Sequence, residues 1–273
     1  MAEILLGTSA FTAAGWESSF YPEGMKPADY LHYYAGQFRT VEVDSTYYRV
    51  PSPTTVKRWY EQTPPDFLFS LKMVQTVTHE KVLAECGEEC RQFFAAADLL
   101  REKLVAILFQ FPYFNKKAFP DGAAFLERLI PFVKKLPEGY PFALEIRNKN
   151  WLGPKFFETL RERKIAFALI DHPWMPRPGE ILSRFDAINS DFAYIRLLGD
   201  RKGIEEKTKS WDKVVVDRTV EIAEWVETVR KIHERRIKIL AYVNNHYAGH
   251  APATVRQLIE ILKKKFPDAV KNA

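Results

Sequence analysis

Short β-branched or aromatic runs alternate along this chain with longer stretches of helical periodicity. The runs predict strands at Glu3–Gly7, Thr40–Asp44, Phe67–Met73, Leu104–Phe111, Phe142–Arg147, Ile165–Asp171, Phe192–Leu198 and Ile237–Asn244. Helices are predicted at Pro27–Gly36, Thr54–Gln62, Cys86–Glu102, Ala118–Lys135, Pro154–Arg163, Asp212–Glu234 and Thr254–Phe266. The longest carries Val215, Ile222, Val226 and Val229 as one apolar stripe. Alternating β and α elements argue for a parallel sheet with helical crossovers. Eight strands in 273 residues match a single (β/α)8 TIM barrel, with residues 1–273 as one domain. The sixth unit breaks the rhythm. His172–Asp191 opens with four Pro or Gly in eight residues, and no helix is expected there.

The polar residues have a pattern of their own. Alternate strand residues face the barrel interior or the helices. Glu42 and Asp44 share one face of the second strand, opposite Val41 and Val43. The same parity groups Ser70 with Lys72, Glu145 with Arg147, Tyr194 with Arg196, and Tyr242 with Asn244; Gln110 stands opposite Phe109 and Phe111. The sixth strand ends in Asp171-His172. Polar groups therefore gather late on the strands, at the end where barrel active sites lie. Unpaired charges do not enter an interior, so Glu42, Asp44, Glu145 and Asp171 are expected to pair with Lys72, Arg147 and Arg196.

Composition narrows the class. The chain is 47% hydrophobic and 14% aromatic, which excludes disorder. Every apolar run is too short for a membrane span, and the first residues read as a strand rather than a signal peptide. The net charge of +5 permits an anionic partner without demanding one. Cys86 and Cys90, four apart, are expected to be reduced thiols in a cytoplasmic protein.

The order and spacing of short motifs carry a resemblance. They are Gly7-Thr8-Ser9 with Trp16 and Phe20-Tyr21-Pro22; Glu42-Val43-Asp44-Ser45-Thr46-Tyr47-Tyr48-Arg49; Thr78-His79; and Phe109-Gln110-Phe111-Pro112. Then come Glu145-Ile146-Arg147 with Trp151, Tyr194-Ile195-Arg196-Leu197-Leu198-Gly199, and Asn244-Asn245 followed by Ala248-Gly249-His250-Ala251. In these the chain resembles the YecE-like family, domain of unknown function 72. The resemblance implies a TIM barrel, and a suggested relationship to endonuclease IV-type barrels implies DNA binding. The chain departs from the family pattern in two places. Ala10-Phe11 replaces a usual Gly-Trp, and Asp44 stands where Asn is usual.

Three functional readings follow. The first is a phosphate-directed hydrolase acting on nucleic acid or a phosphorylated small molecule. Glu42, Asp44, Glu145 and Asp171 would be its catalytic carboxylates, with a divalent metal held by them and by His79, His172, His246 or His250. Lys72, Arg147, Arg196 and Arg201 would bind phosphate, helped by Gln110, Tyr194, Tyr242 and Asn244. Tyr47, Tyr48, Trp151, Trp174 and Tyr247 would stack on bases. The second is a glycosidase-like hydrolase using Glu42 and Glu145 as paired carboxylates. The third is a non-enzymatic binder of nucleic acid or a small anion, with the charged segment Asp200–Lys213 as lid or contact. No G-x-S-x-G, Walker or G-x-G-x-x-G motif is present.

Overall fold

The computed structural model describes residues 2–271. Eight parallel strands form a nearly closed barrel: β1 Ile4–Thr8, β2 Thr40–Val43, β3 Leu68–Lys72, β4 Leu104–Gln110, β5 Phe142–Glu145, β6 Ala166–Asp171, β7 Phe192–Leu197 and β8 Lys238–Val243. A short β9, Val270–Lys271, adds to β1. The ladder runs from β2 in sequence order to β8 and then to β1. The helices are α1 Tyr30–Ala35, α2 Pro53–Glu61, α3 Gly87–Ala97, α4 Gly122–Lys135, α5 Pro154–Glu162, α6 Pro178–Arg184, α7 Arg201–Glu205, α8 Thr219–Glu234, α9 Asn245–Ala248 and α10 Ala251–Lys265.

The barrel closes between β1 and β2, where the backbones crowd together. A Cβ on Gly7 would lie 2.0 Å from the Thr40 carbonyl oxygen, so glycine is required there. The Tyr34 hydroxyl from α1 bridges the same seam. It accepts from the Thr8 N–H at 2.9 Å and donates to the Thr40 carbonyl at 3.1 Å. Polar backbone that lacks a ladder partner is thereby satisfied inside the fold.

The two faces of the sheet are packed differently. Outward residues such as Val41, Phe69, Ile107, Leu144 and Ile195 join the large core under the helices. Inward residues are small on some strands and large on others. Ala106, Ala143, Ala166 and Ala168 make room for Tyr194 and Tyr242. The interior is thus filled by side chains rather than hollow.

Two sequence expectations are corrected here. The sixth unit does contain a helix, α6. Pro178 takes one of its first two positions, where its fixed φ and missing N–H cost nothing. And α8 starts at Thr219, not Asp212. Val215 and Val216 donate their N–H groups to the Ala248 carbonyl instead, and Asp217 Oδ1 accepts from Thr219 N–H at 2.9 Å. The segment after Asp200 is in part α7, braced by an Arg201–Glu205 pair. Cys86 and Cys90 are buried free thiols.

Candidate functional site

Strand parity brings the acidic and basic groups together at the barrel mouth. Arg196 on β7 is the hub. Its Nε and Nη2 hold the Glu42 carboxylate of β2, with Nη2 2.7 Å from Oε1. Its Nη1 lies 2.5 Å from Glu145 Oε2 on β5. Tyr194 OH donates to Glu42 Oε2 at 2.6 Å, and Arg147 Nε donates to Glu145 Oε1 at 3.0 Å. Glu42 and Glu145 are fully buried. Each carboxylate is therefore desolvated but well paired, the condition under which a buried charge is tolerated. Burial pushes the Glu145 carboxyl up, but Arg196 and Arg147 outweigh it and hold it at about 2.

Above this network sit two groups with displaced acidity. Burial and the neighbouring Glu42 raise Asp44 to about 6, against the pull of Lys72 and Arg196. Burial and the nearby Arg196 lower Lys72 to about 8, against Glu145 and Glu42. The Lys72 ammonium makes no salt bridge among the described residues; it lies 4.1 Å from the Tyr47 ring centroid. Tyr47 meets the His79 ring edge to face at 4.9 Å. Arg147 is the outermost cation of the network. It uses only Nε on Glu145, and its side chain keeps 25% of its exposure.

Two open cavities share Arg147. One, of about 690 Å³, is bounded by His172, Trp174, Asp200, Arg201 and Lys202. The other, of about 550 Å³, is bounded by Tyr113, Lys116, Lys149, Trp151 and Trp174. Tyr113 and Trp174 are each 56% exposed and meet at 5.8 Å between ring centroids.

Not every expected residue arrives at this mouth. Asp171 faces outward, because its side chain lies one residue past the inward Ile170. It is held by Arg177 at 3.1 Å and Trp225 Nε1 at 3.0 Å, so it does not pair with the mouth cations. Tyr242 lies deep in the barrel, its hydroxyl against Thr40 and Ser70. Tyr194 is equally buried, on Glu42. Tyr247 is fully buried and has no face free for a base. Gln110 donates to the Phe111 carbonyl at 2.6 Å. Asn244 caps α9 through His246 N–H and donates to Ser9 Oγ, so both ends of its amide are engaged. Trp151 stacks on Phe125 and Phe114, with one edge at the cavity. Tyr48 is 70% exposed and stands beside Tyr47. Arg201 pairs with Glu205.

The histidines do not form a metal centre. His79 contacts Thr78 Oγ1 and lies near Tyr47; burial, then Lys72 and Arg147, lower it to about 4. His172 accepts from Trp174 N–H; burial and Arg147 lower it to about 4. His246 lies between Asn244 and Glu205, and His250 caps α10. Among the described residues, no three His, Cys, Asp or Glu side chains form a set able to hold a metal ion. The expected divalent metal does not fit this donor arrangement, since Glu42 and Glu145 spend their oxygens on arginine and tyrosine.

Tyr113, Lys116, Lys149 and Asp200 enter the mouth without a strand-parity signal. They lie on loops just beyond β4, β5 and β7, and only position past a strand end could have flagged them.

The barrel, the buried arginine hub and the motif order define one class of protein. The chain belongs to the family described as "Protein of unknown function DUF72", matched over residues 5–273. It is 26% identical over 271 residues to the UPF0759 protein YunF of Bacillus subtilis, covering 92% of this chain and 94% of that one. It is 30% identical over 134 residues to the UPF0759 protein YecE of Escherichia coli, covering 49% and 45%. A DUF72 family crystal structure from Thermotoga maritima superposes with TM-score 0.72 at 28% identity, covering 96% of this chain and 99% of that one. D-psicose 3-epimerase shares the barrel fold at TM-score 0.58 and 10% identity, covering 97% and 99%. No helix among the described residues is long and apolar enough to cross a membrane.

Proposed function

We propose that this chain is a phosphate-directed hydrolase whose site is the barrel mouth, with nucleic acid as the leading substrate class. One observation carries the reading: Arg147 spends only Nε on Glu145, so its terminal nitrogens are available beside an open cavity. A guanidinium fork suits phosphate oxygens. Lys72, without a salt bridge, adds a second positive charge. Asp44, near 6, is largely ionised at neutral pH and suits a general base for water. The exposed rings of Tyr113 and Trp174, with Lys116 and Lys149 beside them, suit a single strand whose bases stack. A protein-held metal is not part of this reading.

The glycosidase reading has less support. Glu42 and Glu145 share Arg196, and a Glu145 carboxyl held at about 2 is a poor proton donor near neutrality. Labelled single-stranded DNA and RNA test the proposal. Salt-sensitive binding with cleavage supports it. Binding without cleavage favours a nucleic-acid binding protein, and the absence of both binding and cleavage rules out a phosphate-directed role on nucleic acid.

A further inference from the structure

Of the six tryptophans only Trp174 is exposed, and its backbone is held firmly in place. It follows β6 in a tight turn, in which Pro173 fixes one backbone angle. The Met175 N–H closes the turn on the His172 carbonyl at 3.0 Å, and the Trp174 N–H donates to His172 Nδ1 at 3.2 Å. Met175 itself is buried with the inward residues of the barrel and anchors the far side. An exposed indole whose backbone is already ordered loses little freedom when a ligand binds.

Its position is equally specific. Arg147, Pro173 and Trp174 border both cavities of the mouth, so they form the wall between them. Tyr113 and His172 flank the indole at 5.8 and 5.0 Å between ring centroids, each at 72° to it. Neither neighbour stacks on the indole, which keeps 56% of its exposure. The two sides of the wall differ in charge. Lys116 and Lys149 are exposed on one side, where the Asp121 carboxylate is engaged in capping α4. On the other side Asp200, Glu205 and Glu206 balance Arg201, Lys202 and Lys209.

We propose that the mouth takes a dinucleotide unit of a single strand, with one base in each cavity, the Trp174 indole between them, and the connecting phosphate on the Arg147 fork. The proposal rests on the nucleic-acid reading above and names the unit that the site grips. One guanidinium and one indole in a shared wall suit one phosphodiester flanked by two planar groups. A mononucleotide fills one cavity and leaves the other side of the indole in water. In a duplex both faces of each base are covered by neighbouring bases, so the unit must come from an unpaired strand. The strand continues past Lys116 and Lys149, whose exposed ammonium groups meet the next phosphates. The balanced charges on the Asp200 side give phosphate no such path.

Competition against a labelled thymidine hexanucleotide tests the proposal on the whole chain. Thymidine 5′-phosphate and the dinucleoside monophosphate each carry one phosphate, and they differ in having one base or two. The dinucleoside, with a phosphorothioate linkage to block cleavage, should compete at least about tenfold better, the scale of one stacked base. It should quench tryptophan fluorescence in the wild type and not in Trp174→Phe. Trp174→Leu should erase most of the dinucleoside's advantage, Trp174→Phe should retain part of it, and Arg147→Met should weaken both ligands. Equal binding of the two ligands, still dependent on Arg147, overturns the dinucleotide site and leaves the phosphate seat standing. A dinucleoside advantage that survives Trp174→Leu overturns it too. Failure of the hexanucleotide itself to bind removes the nucleic-acid reading together with the proposal.

Discussion

Arg147 donates to Glu145 through Nε alone, at 3.0 Å, while Arg196 takes the other Glu145 oxygen. One guanidinium is therefore committed to the interior, and the other is half free at the rim. Replacing the rim arginine separates ligand binding from folding. Arg147→Met should keep the barrel folded and weaken phosphate or oligonucleotide binding about tenfold to a hundredfold, the range of lost charge-assisted hydrogen bonds. Fluorescence anisotropy of a labelled oligonucleotide measures the first, and circular dichroism the second.

The hub arginine should behave in the opposite way. Arg196→Met leaves the Glu42 and Glu145 carboxylates buried without their shared cation. Removing one partner of a buried pair costs about 3–5 kcal/mol. Urea unfolding should show that loss. Stability near wild type would mean that water reaches the network.

Glu145 and Asp44 should give opposite pH dependences. Glu145 is depressed in the folded state, to about 2. Its contribution is present above the ordinary glutamate value and is lost as pH falls from there toward 2. Asp44 is raised, to about 6. Its contribution is present below the ordinary aspartate value and is lost as pH rises through 6. Asp44→Asn should therefore stabilise the fold at pH 7.5 by on the order of 1–3 kcal/mol, with the gain vanishing near pH 4. Glu145→Gln should flatten the acid limb below pH 4.5. Urea midpoints at pH 3, 4, 5.5 and 7.5 measure both.

The barrel seam is held by a tyrosine hydroxyl. Tyr34→Phe keeps the ring and removes the bridge between Thr8 N–H and the Thr40 carbonyl. Leaving these buried groups unpaired should cost about 1–3 kcal/mol. Hydrogen exchange at the Thr8 amide should speed up more than at β5, which is remote from the seam.

Much of this was legible in the chain because period two is strict. Val41-Glu42-Val43 could place its glutamate only inward, and the same parity placed Lys72, Glu145 and Arg196. Parity says nothing of partners beyond the sheet. Asp171, the last residue of β6, follows the inward Ile170 and so faces outward, to Arg177 in the loop before α6 and Trp225 of α8, which no strand pattern reveals. The Pro178-Gly179 pair reads locally as a breaker, yet Pro178 opens α6 because its neighbours bury Ile181. Tyr113 and Trp174 meet only because two loops fold over the same mouth. Asn244 was placed at the right strand end, but its amide is consumed by capping α9.

Cleavage of end-labelled single-stranded DNA and RNA in the presence of EDTA tests the central claim most directly. The account predicts product formation by the wild type, lost in Asp44→Asn and in Arg147→Met while both variants stay folded. Failure to cleave either strand, with or without added divalent ions, together with no salt-sensitive binding, would contradict it.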